Sequence, residues 1–350
     1  MIFGYKLTGF WLGHLQFSAN FDCEENCRKS IMNLFVVIAC LIAAVLAELD
    51  DDYEEWISFK DKFGKHYGTE EDKFRFQIFQ KKLRGIEEHN AKYERGEVEW
   101  FKGVNQFSDW TNQQLRSLES LRLINTRELS NNSLGVYKAD PKERLAASVD
   151  WRQRGAVLAV RNQGNCGGCW AFSAAAALEG QLAIHKKQKI PLSPQHLIDC
   201  STKNHGCNGG YMTLAFDHVK SQGLSSERDY PYVARVTQCQ RNAPKVITSI
   251  SGYRRIRASE QDLISAIDKV GPVSVAVAIG QWDEYKGGIF NKANCGTRQT
   301  HAVTAVGYTD KYILLKNSWG ARWGENGYIK LARGRNMCGI NNENNVYPIL

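Results

Sequence analysis

Seven cysteines follow the one long apolar run of this chain, and an odd number cannot all pair within one molecule. The run is LFVVIACLIAAVLA, Leu34 to Ala47, with Arg28 and Lys29 before it and the acidic ELDDDYEE after it. A membrane-spanning helix needs roughly 20 apolar residues, so this run is short for a span; its basic flank, apolar centre and small-residue exit have the shape of a secretory signal. Met32 begins such a signal. Residues 1–31 therefore read as an upstream extension and 32–47 as the signal peptide, with no stable membrane anchor expected. Cys23, Cys27 and Cys40 lie in or before the signal; Cys166, Cys169, Cys200, Cys207, Cys239, Cys295 and Cys338 lie beyond it. Secretory entry permits disulfides, so the fold must accommodate crosslinks together with at least one free thiol.

At 350 residues, 43% hydrophobic and 11% aromatic, the chain can bury a sizeable core and fill two or three compact units. The net charge of +8 comes without a basic stripe. Lys186, Lys187 and Lys189 are far in sequence from Arg254, Arg255 and Arg257, and neither cluster is interleaved with aromatics, so no nucleic-acid partner is expected.

Along the chain, Trp56, Phe59, Phe63 and Tyr67 fall at helical spacing, with acidic residues leading and Lys and His trailing, which predicts an amphipathic helix. A second helix is predicted from Glu70 to Tyr93, with Glu71, Arg75 and Phe79 at successive i, i+4 steps and Ile86 and Asn90 continuing that side. GVNQFSDWT, Gly103 to Thr111, has turn chemistry around two aromatics. INTRELSNNSLG reads as a polar linker, and Asn131 lies there in an N-x-S sequon, a site for a glycan. A new globular unit is expected from Leu145. Its first half is helical: Cys169 to Lys187, a helix opened by Ser193 and Pro194, and Gly210 to Gln222. From Lys245 the pattern changes to short β-rich runs, VITSISGYRRI, GPVSVAVAI, HAVTAVGY, YILLKNSW and GYIKLAR. Helices first and strands second predict an α+β fold with two lobes.

The segment QGNCGGCWAFS, Gln163 to Ser173, admits three readings on its own: a redox pair, half of a zinc site, or a structural sulfur beside a catalytic one. A redox site wants a short βαβ chain around it, and zinc wants a second ligand pair at close spacing; neither accompanies this segment. Nucleophilic catalysis needs a thiolate, a base and an orienter for the base. Cys169 opens a predicted helix, where free N–H groups and the dipole lower a thiol pKa. His301 heads an apolar strand and Asn317 lies between a strand and a turn, so both are available for the other two roles.

These residues, with DWRQRGAV (Asp150 to Val157), CNGGYM (Cys207 to Met212) and NSWGARWGENGYI (Asn317 to Ile329), resemble the papain-like cysteine proteases, most closely the cathepsin L-like group. The resemblance extends forward: Glu71, Arg75, Phe79, Ile86 and Asn90 are similar to the helix motif of that group's inhibitory propeptides, and Gly103, Asn105, Phe107 and Asp109 to its second motif. It implies a two-lobe papain-like fold, a helical and a β-barrel-like lobe, with a propeptide over residues 48–144 and a protease domain over 145–350. It implies that Cys169 attacks the scissile carbonyl, that His301 pairs with the thiolate and protonates the leaving amine, that Asn317 orients the imidazole under the shield of Trp319, and that the Gln163 side chain and the Cys169 N–H form the oxyanion hole. The implied disulfides are Cys166–Cys207, Cys200–Cys239 and Cys295–Cys338. Gly167, Gly168, Gly209, Gly210 and Trp319 would contact the substrate, and Met212, Ala276 and Ala302 would wall the second subsite. Neither a metal nor any other cofactor is implied.

Four positions deserve separate expectations. Gly168 stands where the group's signature has serine or alanine and should leave an active enzyme. Lys82 replaces the asparagine of the propeptide helix motif, with little effect expected because the aromatic positions persist. Thr300 precedes the histidine where close relatives often carry aspartate, which should alter the acid limb of the pH profile. Glu343 would floor the second subsite and accept a basic side chain there, with Asn344 as the alternative for that position. The chain thus reads as a monomeric endopeptidase zymogen of the secretory pathway, in a lysosome-like compartment or outside the cell, held by its own propeptide and released when carboxylates such as Asp109 lose charge in acid. A non-catalytic binding homologue and a transpeptidase are the rival readings.

Overall fold

The computed structural model describes residues 32–38, 41, 51–121, 133–240, 245–292 and 295–350, and divides into two units, 1–65 and 66–350. The expected glycan site at Asn131, and Cys23, Cys27 and Cys40, lie outside the described residues. In the first unit residues 32–38 are helical with exposed apolar side chains, and none of the described helices is long and apolar enough to cross a membrane. Residues 51–63 form helix α1, along which Trp56, Phe59 and Phe63 stand ring against ring at 5.4 and 5.2 Å. The helix stops at Gly64, whose φ of 61° is left-handed, so Tyr67 falls outside the predicted helix.

The second unit begins with α2, Thr69–Glu94, which carries Glu70, Glu71 and Asp72 in its first turn and buries Phe79, Leu83 and Ile86. Strand β1 (Trp100–Lys102) follows, then α3 (Asn112–Arg116), whose start is fixed by a reciprocal Thr111–Gln114 capping box, and β2 (Ser133–Tyr137) and β3 (Val149–Asp150). Helix α4 (Cys169–Gln181) runs into a π-helical turn, Leu182–Lys186, that ends on the left-handed Lys187. Next come α5 (Pro194–Cys200), capped by the Ser193 hydroxyl, and α6 (Met212–Gln222), closed by Gly223.

The remaining elements are mostly strands: β4 (Leu224–Ser225), β5 (Val246–Thr248), β6 (Gly252–Ile256), β7 (Val273–Val277), β8 (Tyr285–Phe290), β9 (His301–Tyr308), β10 (Tyr312–Lys316), β11 (Tyr328–Ala332) and β12 (Val346–Ile349). Helix α7 (Glu260–Lys269) sits among them with Ser259 as its cap, where the strand-rich reading foresaw no helix. The main sheet has the order β1-β8-β11-β10-β9-β7-β12-β6-β2, with β3 added against β9.

Two large apolar cores result among the described residues, beside a small cluster at Val306, Leu314 and Tyr328. One surrounds α4 and α6 and takes in Trp170, Leu178, Met212 and Phe216; the other lies around the sheet and α7 and takes in Ile267, Val275, Trp282, Phe290 and Leu315. Every residue of α4 is buried, and small side chains at Ala174 to Ala177 let β9 approach closely: the Ser173 hydroxyl donates to the Val303 carbonyl at 2.7 Å. Cys166 is joined to Cys207 and Cys200 to Cys239 in the helical half, and Cys295 to Cys338 in the strand half. The architecture is α+β, with helices and strands gathered around separate cores, as read from the sequence.

Candidate active site

Among the described residues Cys169 is a free cysteine, placed as the first residue of α4. The loop leading to it is held by neighbours that leave no room for side chains. A Cβ on Gly167 would lie 2.4 Å from the Cys207 carbonyl oxygen, which instead accepts the Gly167 N–H at 2.9 Å. Gly168 has φ −93° and ψ 12°, open to any residue, but Ile198 Cδ1 fills the space 2.9 Å from where its Cβ would be. The glycine at 168 is thus matched by the bulk of Ile198.

His301 heads β9 and Asn317 follows the last residue of β10. The antiparallel register, Lys316 opposite Thr304, returns the chain to the start of β9 and brings the two side chains together. His301 Nε2 donates to Asn317 Oδ1 at 2.8 Å, and the same oxygen accepts the Ser318 N–H at 2.8 Å. Because Asn317 Oδ1 receives both protons, Nε2 carries the imidazole hydrogen and Nδ1 holds the lone pair. Nδ1 has no hydrogen bond of its own; the Leu118 backbone faces the ring without completing one. Trp319, 1% exposed, lies over the imidazole with centroids 5.0 Å apart and keeps water from the His301–Asn317 bond.

Gln163 is fixed from both ends. Its Oε1 accepts the Ser318 hydroxyl at 2.6 Å and its Nε2 donates to the Cys166 carbonyl at 3.1 Å, so the amide is oriented beside the cysteine loop. The backbone N–H groups of Trp170 and Ala302 face the Cys169 sulfur. This gathers a free thiol, an imidazole whose Nδ1 has no hydrogen bond, the carboxamide that holds its Nε2 and the Gln163 amide in one part of the molecule.

The segment ahead of β2 covers that place. Ser120 Oγ lies 3.2 Å from Cys169 Sγ. Leu121 donates its N–H to the Thr300 carbonyl at 2.8 Å, bridges in parallel to Gly210, and joins Met212, Ala276 and Ala302 in one apolar cluster. Gly209, at φ 104°, makes the turn that presents Gly210. Glu343 is exposed; its neighbours Asn342 and Asn345 hold the Ala276 backbone, Asn342 Nδ2 donating to its carbonyl at 2.8 Å and Asn345 Oδ1 accepting its N–H at 3.1 Å.

Burial under this segment reverses the electrostatics expected of a helix-opening thiol. Desolvation pushes the Cys169 thiol up despite the surrounding donors, and pushes His301, which is fully buried, down to about 4. Both groups are therefore held in their uncharged forms. The sequence alone locates Cys169 at a helix start; it does not show that Leu118, Ser120 and Leu121 lie over it, because apolar and hydroxyl residues in a loop carry no distinctive signal.

The forward segment is tied down by its motif residues. Arg75 donates to the Asp109 carbonyl at 3.0 Å and to Gln114 Oε1 at 2.5 Å, Tyr67 donates to the Asp109 carboxylate, and Asn90 exchanges two hydrogen bonds with the Lys102 backbone. Phe107 meets Trp319 edge-on at 5.4 Å. Lys82 does more than the sequence suggested: its ammonium is 2.7 Å from Asp283, in the loop before β8. The expectation of little effect there overlooked a charged partner some two hundred residues away in sequence. Among the described residues no group of three or more His, Cys, Asp and Glu is placed to hold a metal.

Comparison with known proteins gives the same picture. The family model "Papain family cysteine protease" matches residues 145–349 and "Cathepsin propeptide inhibitor domain" matches 56–115. A cathepsin L-like proteinase of Phaedon cochleariae is 43% identical over 91% of this chain and all of its own length, and procathepsin L of Mus musculus is 38% identical over 88% of this chain and 97% of its own. The structure of a digestive procathepsin L from the Tenebrio molitor larval midgut superposes with a TM-score of 0.78 at 38% identity, covering 85% of this chain and 99% of that one. The chain belongs to the papain family of cysteine proteases, as a cathepsin L-like procathepsin with an inhibitory propeptide.

Proposed function

We propose that this protease is an endopeptidase in which Cys169 is the nucleophile, His301 the base and later the acid, Asn317 the orienter, and Gln163 with the Cys169 N–H the oxyanion donors. The observation that carries this is the covering of Cys169 by the chain's own Ser120 and Leu121, beside a His301–Asn317 pair whose lone-pair nitrogen is free. With the cover gone, His301 Nδ1 takes the Cys169 proton and the thiolate attacks the peptide carbonyl. The imidazolium then protonates the leaving amine, and a water activated by the same nitrogen clears the thioester. Met212, Ala276 and Ala302 form an apolar subsite for the substrate side chain that Leu121 mimics. The signal-like segment supports a secretory route to a lysosome-like compartment or the exterior.

Acid activation follows from His301. In the closed proform its pKa is about 4, against 6.5 for an exposed imidazole. A depressed histidine pKa favours the closed form fully above pH 6.5, and that advantage is lost as pH falls towards 4, because the open form binds a proton the closed form cannot. In a Cys169→Ala proform, the pH midpoint of opening, followed by tryptophan fluorescence, should fall when His301 is replaced by Gln; an unchanged midpoint would assign the trigger to carboxylates such as Asp109.

The catalytic assignment is tested by activating the proform in acid, adding a thiol-directed epoxide and mapping the modified residue. Modification of Cys169 in step with lost peptide hydrolysis, and its absence in His301→Ala, is the expected result. A silent Cys169 would make the protein a binding homologue, and amine-transfer products in place of hydrolysis would make it a transpeptidase.

A further inference from the structure

We infer that the charge of Lys82, set against the Asp283 and Glu284 carboxylates of the loop before β8, makes this chain's propeptide selective for its own protease. The inference rests on the reading that the propeptide occludes Cys169. The loop is held firmly from beneath: Trp282 and Tyr285, which flank the two carboxylates, are each fully buried, and the Trp323 indole donates to the Trp282 carbonyl at 2.8 Å. The carboxylates therefore stand on a fixed platform.

Two layers of contact reach it. One is made with the backbone: Asn105 Nδ2 donates to the Asp283 carbonyl at 2.6 Å and the Gly103 N–H to the Glu284 carbonyl at 3.0 Å. Backbone carbonyls are present whatever side chains the loop carries, so this layer cannot tell one protease from another. The second layer can. Lys82 Nζ lies 2.7 Å from Asp283 Oδ2 and 3.8 Å from Glu284 Oε1, and Lys102 Nζ lies 2.7 Å from Glu284 Oε2. The four side chains are only 11 to 19% exposed, so water screens them little and each charge depends on its partners.

Two cations from α2 and β1 thus answer two anions of the loop. An asparagine at position 82, the residue of the propeptide motif this helix resembles, carries no charge and would leave Asp283 partly buried without its cation. A propeptide bearing that asparagine should therefore hold this protease less tightly than its own does.

The test uses the full-length proform at neutral pH and low salt, reading the rate at which iodoacetamide alkylates Cys169. The wild-type proform should react far more slowly than the acid-processed enzyme. Lys82→Asn and Lys82→Glu should accelerate alkylation about tenfold or more. Combining Lys82→Glu with Asp283→Lys should restore protection, which a misfolded propeptide would not do. Raising salt from about 50 to about 500 mM should narrow the gap between wild type and Lys82→Asn. If Lys82→Asn stays as protected as wild type, or the charge-swapped pair reacts as fast as Lys82→Glu, the selectivity role is overturned while occlusion stands. A wild-type proform that reacts as fast as the processed enzyme overturns occlusion itself.

Discussion

Helices α2 and α4 are the two longest in the second unit and are held by opposite means. Of the 26 residues of α2, three are buried, and its surface is laced with exposed pairs such as Lys73–Glu70 at 3.0 Å. All 13 residues of α4 are buried, and its one carboxylate, Glu179, binds Arg161 at 2.8 Å while 2% exposed. The difference separates a helix that can be given up from one that cannot. α2 contributes to latency through a few apolar anchors and a few charges, so acid or proteolysis can detach it at modest cost. α4 carries Cys169 and is fixed along its whole length, so the nucleophile keeps its position when the propeptide leaves.

The contrast is broken most severely by Glu179→Gln. Arg161 would keep Glu227, at 2.6 Å, and the Leu192 carbonyl but lose one of its two carboxylates, and Lys316, 5% exposed and already pushed down to about 8 by desolvation, would lose a nearby anion. The expected loss is about 3 kcal/mol, read from urea unfolding of a Cys169→Ala proform that cannot digest itself. A cost below about 1 kcal/mol would show that the ion cluster is not what fixes α4. Phe79→Ala removes the largest anchor of α2, fully buried in the proform, and should cost about 3 kcal/mol. Hydrogen exchange sharpens the comparison here: amides of α2 should exchange faster while those of α4 stay protected, and equal acceleration of both would mean that the two helices open together.

Gly168→Ala is a milder probe of the α4 start. Its Cβ would press on the flexible end of Ile198, so about 1 kcal/mol should be lost and recovered by adding Ile198→Val. Smallest of all, Glu70→Gln on the exposed face of α2 should change stability by less than about 0.5 kcal/mol in the same urea experiment.

Much of this was legible from the chain itself. The i, i+4 run from Glu71 to Asn90 marks α2 almost to its ends, because one face repeats at helical spacing. Cys169, His301 and Asn317 could be picked out as a nucleophile, base and orienter before any contact between them was known. Helix α7 was hidden because it lies between β-rich runs and its signals, Ser259 as cap and a short acidic first turn, were outweighed by the strands around it. Strands β1, β2 and β12 were not read either, since each is short and owes its conformation to a partner remote in sequence. The same holds for Lys82 and Ser120: a side chain's own neighbours say nothing about a partner brought in by the fold. The pairing of six cysteines likewise needed the family resemblance, as spacing alone leaves many connectivities open.

The strand order assigns the forward segment one more task. β1 and β2 form the two ends of the main sheet, and both precede residue 145, where the protease-family match begins. A processing cut ahead of residue 145 would leave β8 and β6 as bare margins with unsatisfied backbone groups, the geometry on which neighbouring molecules can stack. The β6 margin carries Arg254 and Arg255, whereas the β8 margin carries Lys286 beside Asp283 and Glu284, so the two margins differ in charge. A cut ahead of residue 145 would thus exchange a sheet finished by its own chain for one with two open margins of unlike charge, whose attraction should be strongest where salt is low.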